Sequence, residues 1–559
     1  MTEREILGLA ASSGVAVGRA LLLDVPDDDG VPHRGAQAES AAALGALDTV
    51  AAEFASRAEQ LRADGLGAEA DILEANRLMA LDPLLRAEVE RRTADETAPS
   101  ALRAAADQQA ELLAALEDPV LAARATDVRE LGKRAARRLL RDDAPPAADG
   151  SVVLVANDLG PADVADLRDS DLPVVAIALA SGAATSHAAI MARSLGLPLV
   201  VSAGSEILGA NPGTTLVVDG DTGILYLGAS AERLRWGRAR AEALAQQRRR
   251  HAQDRALPAV TVDGRWVTLL ANAATPVEVR AAIEMEADGI GLLRTELAFL
   301  DAPAWPTEEE HSAVLEPIFG LLPGLVSTVR VLDFGSDKTP PFLAGVETRG
   351  IALLLEHPNA LAAQLRAILR SAREAELRLL LPLVESPQEI RTVRRLLRTA
   401  AAEIGWRANL PPVGAMVETP LAARRARELA DEADFLSIGT NDLVQYTLGL
   451  DRTRPLATAD SAADPRVLRL IAETVAAAHD AGTTVEICGE SASVPELATL
   501  YVGLGVDELS VAPARIDELR TVVRSLSAKD AAELVRSALS GQGRDELGQV
   551  AGGLGGVRT

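Results

Sequence analysis

A run of small and hydroxylated residues at 181–195, SGAATSHAAIMARSL, places His187 directly behind Thr185 and Ser186. The apolar run at 173–179 has the length of a β-strand, and the apolar pattern resumes after His187 with helical spacing. The pattern predicts a strand, a loop and a helix whose first N–H groups can hold an anion. A histidine there could attack phosphorus and carry a phosphoryl group. The alternative interpretation is a histidine with ordinary hydrogen bonds beside a helix cap.

A second group of reactive side chains follows residue 258, where apolar runs of strand length alternate with helical patterns. The predicted strands are residues 266–271, 289–293, 328–332, 377–384, 413–417, 435–438, 484–487 and 508–511. Eight such repeats over roughly 290 residues predict a (β/α)8 barrel, whose active site lies at the carboxy-terminal ends of the strands. The polar residues at or just past those ends are Asn272, Arg294, Asp333, Glu418, Asn441, Asp442 and Cys488. Some of them could cap the following helices, but capping does not account for arginine and paired carboxylates at one rim.

The residue types at this rim suit a small anionic ligand. Glu418 and Asp442 follow adjacent predicted strands and offer oxygen ligands for a hard cation such as Mg²⁺. Arg294 and Arg330 can bind phosphate or carboxylate through two parallel hydrogen bonds, and Arg452 could add a third positive group. Together these residues predict a pocket for a phosphorylated acid.

Cys488 lies in the segment EICGES, immediately after the seventh predicted strand. A thiol with an ordinary pKa of about 8.5 can donate a proton at neutral pH. A lone cysteine on an apolar strand can instead be inert core. The strand-end position, followed by Gly489 and Glu490, favours a side chain that faces the pocket.

Composition limits the class of protein. The chain has 559 residues, 48% of them hydrophobic and 25% charged, which predicts several globular domains. The net charge of −25 argues against nucleic acid as the main ligand, because binding to phosphate backbones needs a basic surface. A single cysteine fits a reducing compartment. The absence of a membrane-length apolar run and of signal-peptide features at MTEREILGLA predicts a cytoplasmic protein without membrane insertion.

The chain before the barrel divides by pattern. Two short strands are predicted within residues 5–24, and residues 36–140 read as a helical bundle rich in Ala, Leu, Glu and Arg. Strands and helices then alternate from residue 151 to residue 218, around the histidine loop. The basic run RRRH at 248–251 could suggest nucleic acid, but interleaved glutamates favour a solvated linker helix.

The sequence resembles the phosphoenolpyruvate–protein phosphotransferases, the enzyme I family of the bacterial sugar phosphotransferase system, over nearly the whole chain. The resemblance rests on six blocks in order: TSHAAIMARSLGLP, GIGLLRTE, DFGSDK, AMVETP, FLSIGTNDLVQYTLGLDR and ICGE.

The resemblance implies a multidomain α/β fold. Residues 1–35 and 141–228 would form an α/β swivelling phosphohistidine domain. Residues 36–140 would be an inserted helical bundle that docks the carrier, and residues 229–257 a helical linker. Residues 258–559 would form a TIM barrel that binds phosphoenolpyruvate and forms the homodimer.

It also implies a role for each matching residue. His187 would take the phosphoryl group from phosphoenolpyruvate on a ring nitrogen and pass it to a histidine phosphocarrier protein. Glu418 and Asp442 would hold Mg²⁺, and Cys488 would protonate enolpyruvate to pyruvate. The substrate-binding residues would be Arg294, Arg330, Asn441, Asp442 and Arg452.

Three positions depart from the family pattern. Ser13 replaces a usual proline, Ala352 stands where a second arginine is common, and Asn76 stands where histidine is common. The last change predicts altered partner specificity. An apolar stripe edged by acidic residues is the predicted docking face, although a stripe at this spacing is more often the core of a helical bundle. Its residues are Ile72, Leu73, Leu78 and Met79, with Glu69, Glu74 and Asp82.

Two other functions are compatible with parts of the sequence. Pyruvate phosphate dikinase and phosphoenolpyruvate synthase share the histidine and barrel blocks, but they require a large nucleotide-binding domain that the sequence before His187 does not indicate. A regulatory paralogue that senses phosphoenolpyruvate without sugar-transport turnover is the alternative from another class.

Overall fold

The computed structural model describes residues 3–23, 33–63, 74, 76–114, 128–129, 131–136, 138–139, 151–159, 173–182, 188–189, 192–193, 196–211, 213–300, 302–335, 339–450 and 459–539. These residues belong to two compact units, Met1–Leu244 and Ala245–Thr559. Within them, no helix combines the length and apolar character needed to cross a bilayer. The predicted multidomain α/β class with a carboxy-terminal barrel is confirmed.

The first unit contains an eight-stranded mixed sheet with the strand order β1-β8-β7-β3-β4-β5-β6-β2. The strands are β1 Arg4–Leu7, β2 Leu9–Ser12, β3 Val15–Leu22, β4 Val152–Ala156, β5 Val174–Leu179, β6 Leu199–Val201, β7 Thr215–Asp219 and β8 Ile224–Leu227. Strands β3 to β6 are parallel, and the flanking pairs are antiparallel. The central strands β4 and β5 are continuous apolar runs because separate aliphatic clusters cover the two faces of the sheet.

Two features of this sheet differ from the sequence prediction. The amino-terminal segment forms three strands rather than two, with Gly8 between the first pair in close contact with the backbone of Val201. Strand β8 was not predicted. The turn DGDTG at 219–223 ends with Gly223 at a φ of 76° and returns the chain antiparallel to β7, so the four residues ILYL complete a hairpin.

Helices occupy the described part of residues 33–139. The bounded elements are α1 Ala36–Ala63, α2 Pro83–Arg92 and α3 Ala98–Ala114. Their shared core is made largely of alanine and leucine, and small residues allow close approach: a Cβ on Gly132 would lie 2.3 Å from the Cβ of Ala106. Asp82 accepts a hydrogen bond from the backbone N–H of Leu84 and caps α2.

Helix α4 spans Ala231–Gln253, within the predicted linker. Its amino-terminal half packs on the sheet of the first unit, where Gly237 lies against Val17 and Val217. Trp236 meets Tyr226 edge to face at 6.2 Å, and Arg233 lies 3.8 Å above the Tyr226 ring. Arg248, Arg249 and Arg250 are exposed, as a solvated helix requires.

Residues of the second unit form a closed barrel of eight parallel strands. They are β9 Thr268–Ala273, β10 Gly289–Arg294, β11 Val326–Arg330, β12 Glu376–Leu381, β13 Val413–Val417, β14 Phe435–Ile438, β15 Thr484–Ile487 and β16 Glu508–Val511. The helices are α5 Pro276–Glu284, α6 Glu308–Phe319, α7 Gly350–Glu356, α8 Pro358–Ser371, α9 Pro387–Glu403, α10 Pro420–Arg424, α11 Ala426–Ala430, α12 Thr440–Leu448, α13 Pro465–Ala481, α14 Pro495–Leu504, α15 Ile516–Ser525 and α16 Ala528–Leu539. One aliphatic core joins the strands to the surrounding helices.

The predicted bounds of the last four strands match the structure. The first strand begins two residues later than predicted, since Trp266 is 70% exposed and forms only an isolated bridge with Val260. Strand β11 is displaced toward the amino terminus, so that it ends at Arg330 rather than at Leu332. The displacement places Arg330 itself at the end of a strand.

Candidate active site at the carboxy-terminal rim of the barrel

Two arginines end neighbouring strands at the rim. Arg294 is the last residue of β10, Arg330 is the last residue of β11, and the two are partners in the strand register. Arg294 is half-buried and forms no ion pair with any described residue, which leaves its guanidinium available to an anion.

Arg330 is in a different environment because it is 5% exposed and held between two carboxylates. It lies 2.7 Å from Glu296 and 2.9 Å from Asp333. Burial by itself would lower the pKa of Arg330, but these two charges outweigh burial and raise it above its ordinary value. The guanidinium is therefore a permanent positive charge in a fixed place.

Neutral hydrogen bonds hold the strand end that carries Arg330. The Thr295 hydroxyl donates to the Arg330 carbonyl at 2.9 Å, and Gln364 Nε2 donates to the Thr295 hydroxyl at 3.0 Å. Gln364 Oε1 in turn accepts from the N–H of Leu332 at 3.0 Å. All of these groups are buried, so each hydrogen bond also satisfies a group that water cannot reach.

Glu418 follows β13 and is 3% exposed. Its Oε2 accepts from the N–H of Leu383 at 2.9 Å, and Leu383 has the left-handed φ of 50° that non-glycine residues rarely adopt. On the opposite side, a Cβ on Gly439 would lie 2.6 Å from the Glu418 side chain. A glycine after β14 and a strained residue after β12 therefore make room for this carboxylate and orient it.

Asp442 lies in the first turn of α12 and is 6% exposed. Burial, together with the nearby charges of Asp442 and Asp333, raises the pKa of Glu418 to about 8. The described rim carries four buried carboxylates, Glu296, Asp333, Glu418 and Asp442, against the two arginines. The Asp442 charge opposes ionisation of Glu418, and a cation bound between these two carboxyl groups would favour their charged forms.

This donor set fits Mg²⁺. Mg²⁺ usually takes one or two protein carboxylates and completes its octahedron with water and substrate phosphate. Among the described residues, no three His, Cys, Asp or Glu side chains converge to enclose a metal ion by themselves. Glu418 and Asp442 thus have the number and type of ligands that a substrate-shared Mg²⁺ site needs.

Cys488 follows β15 and is 2% exposed. Burial, and next the nearby Glu486 carboxyl, raise the pKa of the Cys488 thiol to about 12. The Ser437 hydroxyl lies 3.2 Å from Cys488 Sγ, and the thiol lies 3.8 Å from the carbonyl of Ile438. The thiol is therefore protonated across the physiological pH range, as a proton donor must be.

The loop that carries Cys488 is held on both sides. Asn272 Nδ2 donates to the Cys488 carbonyl at 3.2 Å, and Ser510 donates to Asn272 Oδ1 at 2.7 Å. From the other side, Asn441 Oδ1 accepts from the N–H of Glu490 at 3.0 Å. Asn441, predicted to bind substrate, here anchors the neighbouring loop through one of its two polar atoms.

The structure brings together most of the residues that the sequence analysis placed at the rim. Arg294, Arg330, Glu418, Asp442 and Cys488 end or follow strands β10, β11, β13, β14 and β15 of one closed barrel, with Asn272, Asp333 and Asn441 among them. His187, with Thr185 and Ser186, and Arg452 lie outside the described residues. Their roles stay predictions.

Three residues of the site were missed by the sequence analysis. Glu296 lies in the block GIGLLRTE, where a charged residue two positions after a buried strand end was a usable signal. Ser437 and Glu486 lie inside short apolar strands, where inward and outward positions cannot be told apart from so few residues.

The comparisons with known proteins agree along the chain. Residues 7–124 match the family described as PEP-utilising enzyme, N-terminal, and residues 148–223 match its mobile domain. Residues 248–528 match the PEP-binding domain of the same enzymes.

Full-length relatives extend these matches. The chain is 34% identical to the phosphoenolpyruvate-protein phosphotransferase of Staphylococcus carnosus over 558 residues, covering 96% of both chains. It is 37% identical to the protein of that name from Streptomyces coelicolor, covering 93% of this chain and 94% of the relative. A multiphosphoryl transfer protein of Xanthomonas campestris is 40% identical over 458 residues; the match covers 78% of this chain and 53% of that longer relative. The chain belongs to the family of PEP-utilising enzymes, which confirms the resemblance seen in the sequence.

Proposed function

We propose that this chain is a phosphoenolpyruvate–protein phosphotransferase that catalyses the first step of a sugar phosphotransferase system. It transfers the phosphoryl group of phosphoenolpyruvate to His187, releases pyruvate, and passes the group to a histidine phosphocarrier protein. The observation that carries the proposal is the barrel rim, where two arginines, a pair of carboxyl groups and a thiol that is protonated at neutral pH lie at strand ends of one barrel.

The charged residues at the rim have different proposed roles in binding the substrate and Mg²⁺. Arg294 is free to bind a phosphate or carboxylate oxygen, whereas Arg330 supplies a fixed positive charge balanced by Glu296 and Asp333. Glu418 and Asp442 would hold Mg²⁺, which supplies the charge neutralisation that phosphoryl transfer requires. Such transfer depends more on positioning and neutralisation than on covalent help from the barrel.

Cys488 completes the reaction. When the phosphorus–oxygen bond of phosphoenolpyruvate breaks, the electron pair of the enolate must take a proton at C3 to give pyruvate. The high pKa of the buried Cys488 thiol keeps that proton available on sulfur at neutral pH. His187 is the proposed phosphoryl acceptor on the strength of its sequence context, behind two hydroxyls at a predicted helix start.

The proposed partners and domain roles follow the sequence analysis. Residues 36–140 dock the carrier, residues 258–559 form the homodimer, and residues 1–35 with 141–228 form the phosphohistidine domain. A cytoplasmic location is part of the same proposal. The regulatory alternative is not favoured, since each rim position named for turnover carries a residue suited to its role.

The test is labelling with phosphoenolpyruvate that carries radioactive phosphorus, in the presence of Mg²⁺, followed by mapping of the labelled peptide. We expect an acid-labile label on His187, none on the His187→Ala variant, and none from labelled ATP. Label that persists on His187→Ala would contradict the assignment. The amount of pyruvate released in the presence of the carrier distinguishes an enzyme from a sensor. An enzyme releases many molecules of pyruvate per chain, whereas a sensor is phosphorylated once and releases one.

A further inference from the structure

A line of polar groups continues from Cys488 into the barrel, below the rim. Ser437 on β14 and Glu486 on β15 are partners in the strand register, and both are 0% exposed. The Ser437 oxygen lies 3.2 Å from Cys488 Sγ and 3.3 Å from Glu486 Oε1. The three groups therefore form a continuous chain of polar contacts inside the barrel.

The Ser437 hydroxyl can link Cys488 and Glu486 by donating a hydrogen bond to one of them and accepting a hydrogen bond from the other. A hydroxyl carries one proton, so it donates to one neighbour and accepts from the other. If Glu486 is protonated, it can donate to Ser437 while Ser437 donates to the sulfur of Cys488. This is the arrangement that a proton transfer toward sulfur requires.

Burial and the Glu508 carboxylate favour the protonated form of Glu486 over the opposing charge of Arg378. Glu508, its register partner on β16, and Arg378 on β12 are the charged groups that face it from neighbouring elements. Arg378 pairs with Glu508 at 2.9 Å and lies 5.6 Å above the Phe435 ring. Burial, and then the Glu508 charge, raise the pKa of Glu486 well above its ordinary range.

A purely structural role does not account for Glu486. Arg378 already has a carboxylate partner in Glu508, and Glu486 forms no ion pair with any described residue. Within the described part of the chain, its Oε2 is buried and makes no hydrogen bond. A leucine would fill such a place without the cost of burying a polar group.

We propose that Glu486 and Ser437 form a relay that restores the proton of Cys488 after each turnover. This inference rests on the proposed function, in which the Cys488 thiol protonates C3 of enolpyruvate and becomes a thiolate. The Ser437 proton then moves to sulfur as the Glu486 proton moves to the Ser437 oxygen, which leaves a Glu486 carboxylate. Neither residue touches the substrate, so both act through Cys488.

Glu486 regains its proton from water at the amino-terminal end of the barrel. Glu508 is the first residue of β16, and the side chain of its partner Arg378 is 25% exposed. Water therefore reaches this charged pair, next to Glu486, without passing through the substrate pocket. The relay lets the thiol recover while the rim is occupied.

The test uses the full-length chain in deuterium oxide with phosphoenolpyruvate, Mg²⁺ and carbon-14-labelled pyruvate. Phosphoryl transfer to and from the enzyme moves carbon label between pyruvate and phosphoenolpyruvate, and no carrier is needed. Mass spectrometry counts the deuterium placed on C3 of pyruvate for each carbon label exchanged. Both labels are counted in the same sample, so the ratio of deuterium to carbon label does not depend on how much of the preparation is active.

The variants are Glu486→Gln, which keeps the size but cannot supply a proton, and Ser437→Ala, which removes the bridge. Ser327→Ala is the matched control, since Ser327 is a buried strand serine that donates to the Leu325 carbonyl elsewhere. We expect the deuterium-to-carbon ratio to fall roughly tenfold or more in both relay variants, given the usual contribution of a positioned proton-transfer group. Ser327→Ala should keep the parental ratio.

The outcomes separate the relay from the function on which it rests. Carbon exchange with an unchanged ratio in both relay variants would overturn the relay alone, because Cys488 would then exchange directly with water. No carbon exchange in the parental chain would overturn the proposed function itself. A reduced ratio in Glu486→Gln and in Ser437→Ala supports the relay.

Discussion

Arginine–carboxylate pairs occur both at the barrel rim and in the helical region of residues 33–139, but their exposure differs. The side chains of Arg330 and Glu296 are 6% and 0% exposed, whereas those of Arg91 and Glu88, one turn of helix apart, are 66% and 18% exposed. The same two residue types therefore serve opposite purposes. A buried pair holds its charges in one place, whereas an exposed pair can rearrange at little cost in free energy.

The largest expected effect is on the rate of pyruvate formation, and it should follow from removing the buried thiol of Cys488. Cys488→Ala should slow pyruvate formation by about 10²–10⁴-fold, the usual loss with a positioned proton donor, and leave phosphoenolpyruvate binding largely intact. Rapid-quench measurement of pyruvate in a single turnover gives the rate. A parental rate in this variant would make Cys488 a packing residue and the rim a binding site only.

The buried pair provides the next test. Glu296→Ala leaves Arg330 with Asp333 as its ion-pair partner among the described residues, and breaking a buried pair typically costs about 3–5 kcal/mol. Glu88→Ala is the matched control and should cost about 0–1 kcal/mol. Urea unfolding of the three proteins measures both. Equal losses would mean that exposure does not separate the two regions.

Glu39 shows that burial, rather than the region, decides the outcome. It lies in the helical region but is 1% exposed, and it accepts from the backbone N–H of Arg34 at 2.9 Å and of Ala98 at 2.7 Å. Burial by itself would raise the pKa of Glu39, but the hydrogen bonds from Arg34 and Ala98 outweigh it and lower the pKa to about 2.

A carboxyl with a depressed pKa stabilises the fold above its unfolded pKa of about 4.5, and that contribution is lost as the pH falls toward 2. Glu39→Gln should therefore lose about 2–3 kcal/mol at pH 7 and lose less stability than the parent on acidification below about pH 5. Urea unfolding at pH 7 and pH 4 tests this. If parent and variant lose stability in parallel on acidification, Glu39 contributes no pH-dependent stability.

The rim shows how far sequence reasoning extends. Strand-end positions identified Arg294, Glu418 and Cys488 because parallel strands bring their carboxy-terminal ends to one edge, whatever the helices between them do. The pairing of Arg330 with Glu296 needed the structure, since it depends on how the segment after β10 turns toward the end of β11.

The relay below Cys488 could not have been found in the sequence. Strands β14 and β15 have four residues each, too few for an alternating pattern to separate the barrel interior from its outer face. The predicted start of the first barrel strand at Trp266 was wrong for a related reason. Trp266 is apolar and was therefore assigned to the strand, but its side chain is exposed. The sequence shows which residues are apolar. It does not show which way each side chain of a short strand points, because that direction depends on the strand register.

The smallest expected change concerns the predicted docking face in the helical region. Of the predicted stripe, Ile72, Leu73 and Glu69 lie outside the described residues. Leu78 is 58% exposed, whereas Met79 packs against the helical core. Asp82 accepts hydrogen bonds from the Leu84 N–H and from Gln109, so it is a helix cap rather than a free acidic edge.

These contacts make Leu78 and Glu74, rather than Met79, the residues to change. Glu74 pairs with Arg77 three residues away with both side chains about one-third exposed, so Glu74→Lys should cost no more than about 1 kcal/mol of stability. It should slow phosphoryl transfer to a basic carrier in a salt-sensitive manner, because it replaces an attractive charge with a repulsive one.

Leu78→Ala should slow the same step without salt dependence, and Met79→Ala should mainly lower stability through lost packing. Stopped-flow transfer from the phosphorylated chain at low and high salt, beside labelling of His187 by phosphoenolpyruvate, distinguishes docking from catalysis. Transfer that is unaffected by both Leu78→Ala and Glu74→Lys would place the carrier on another surface.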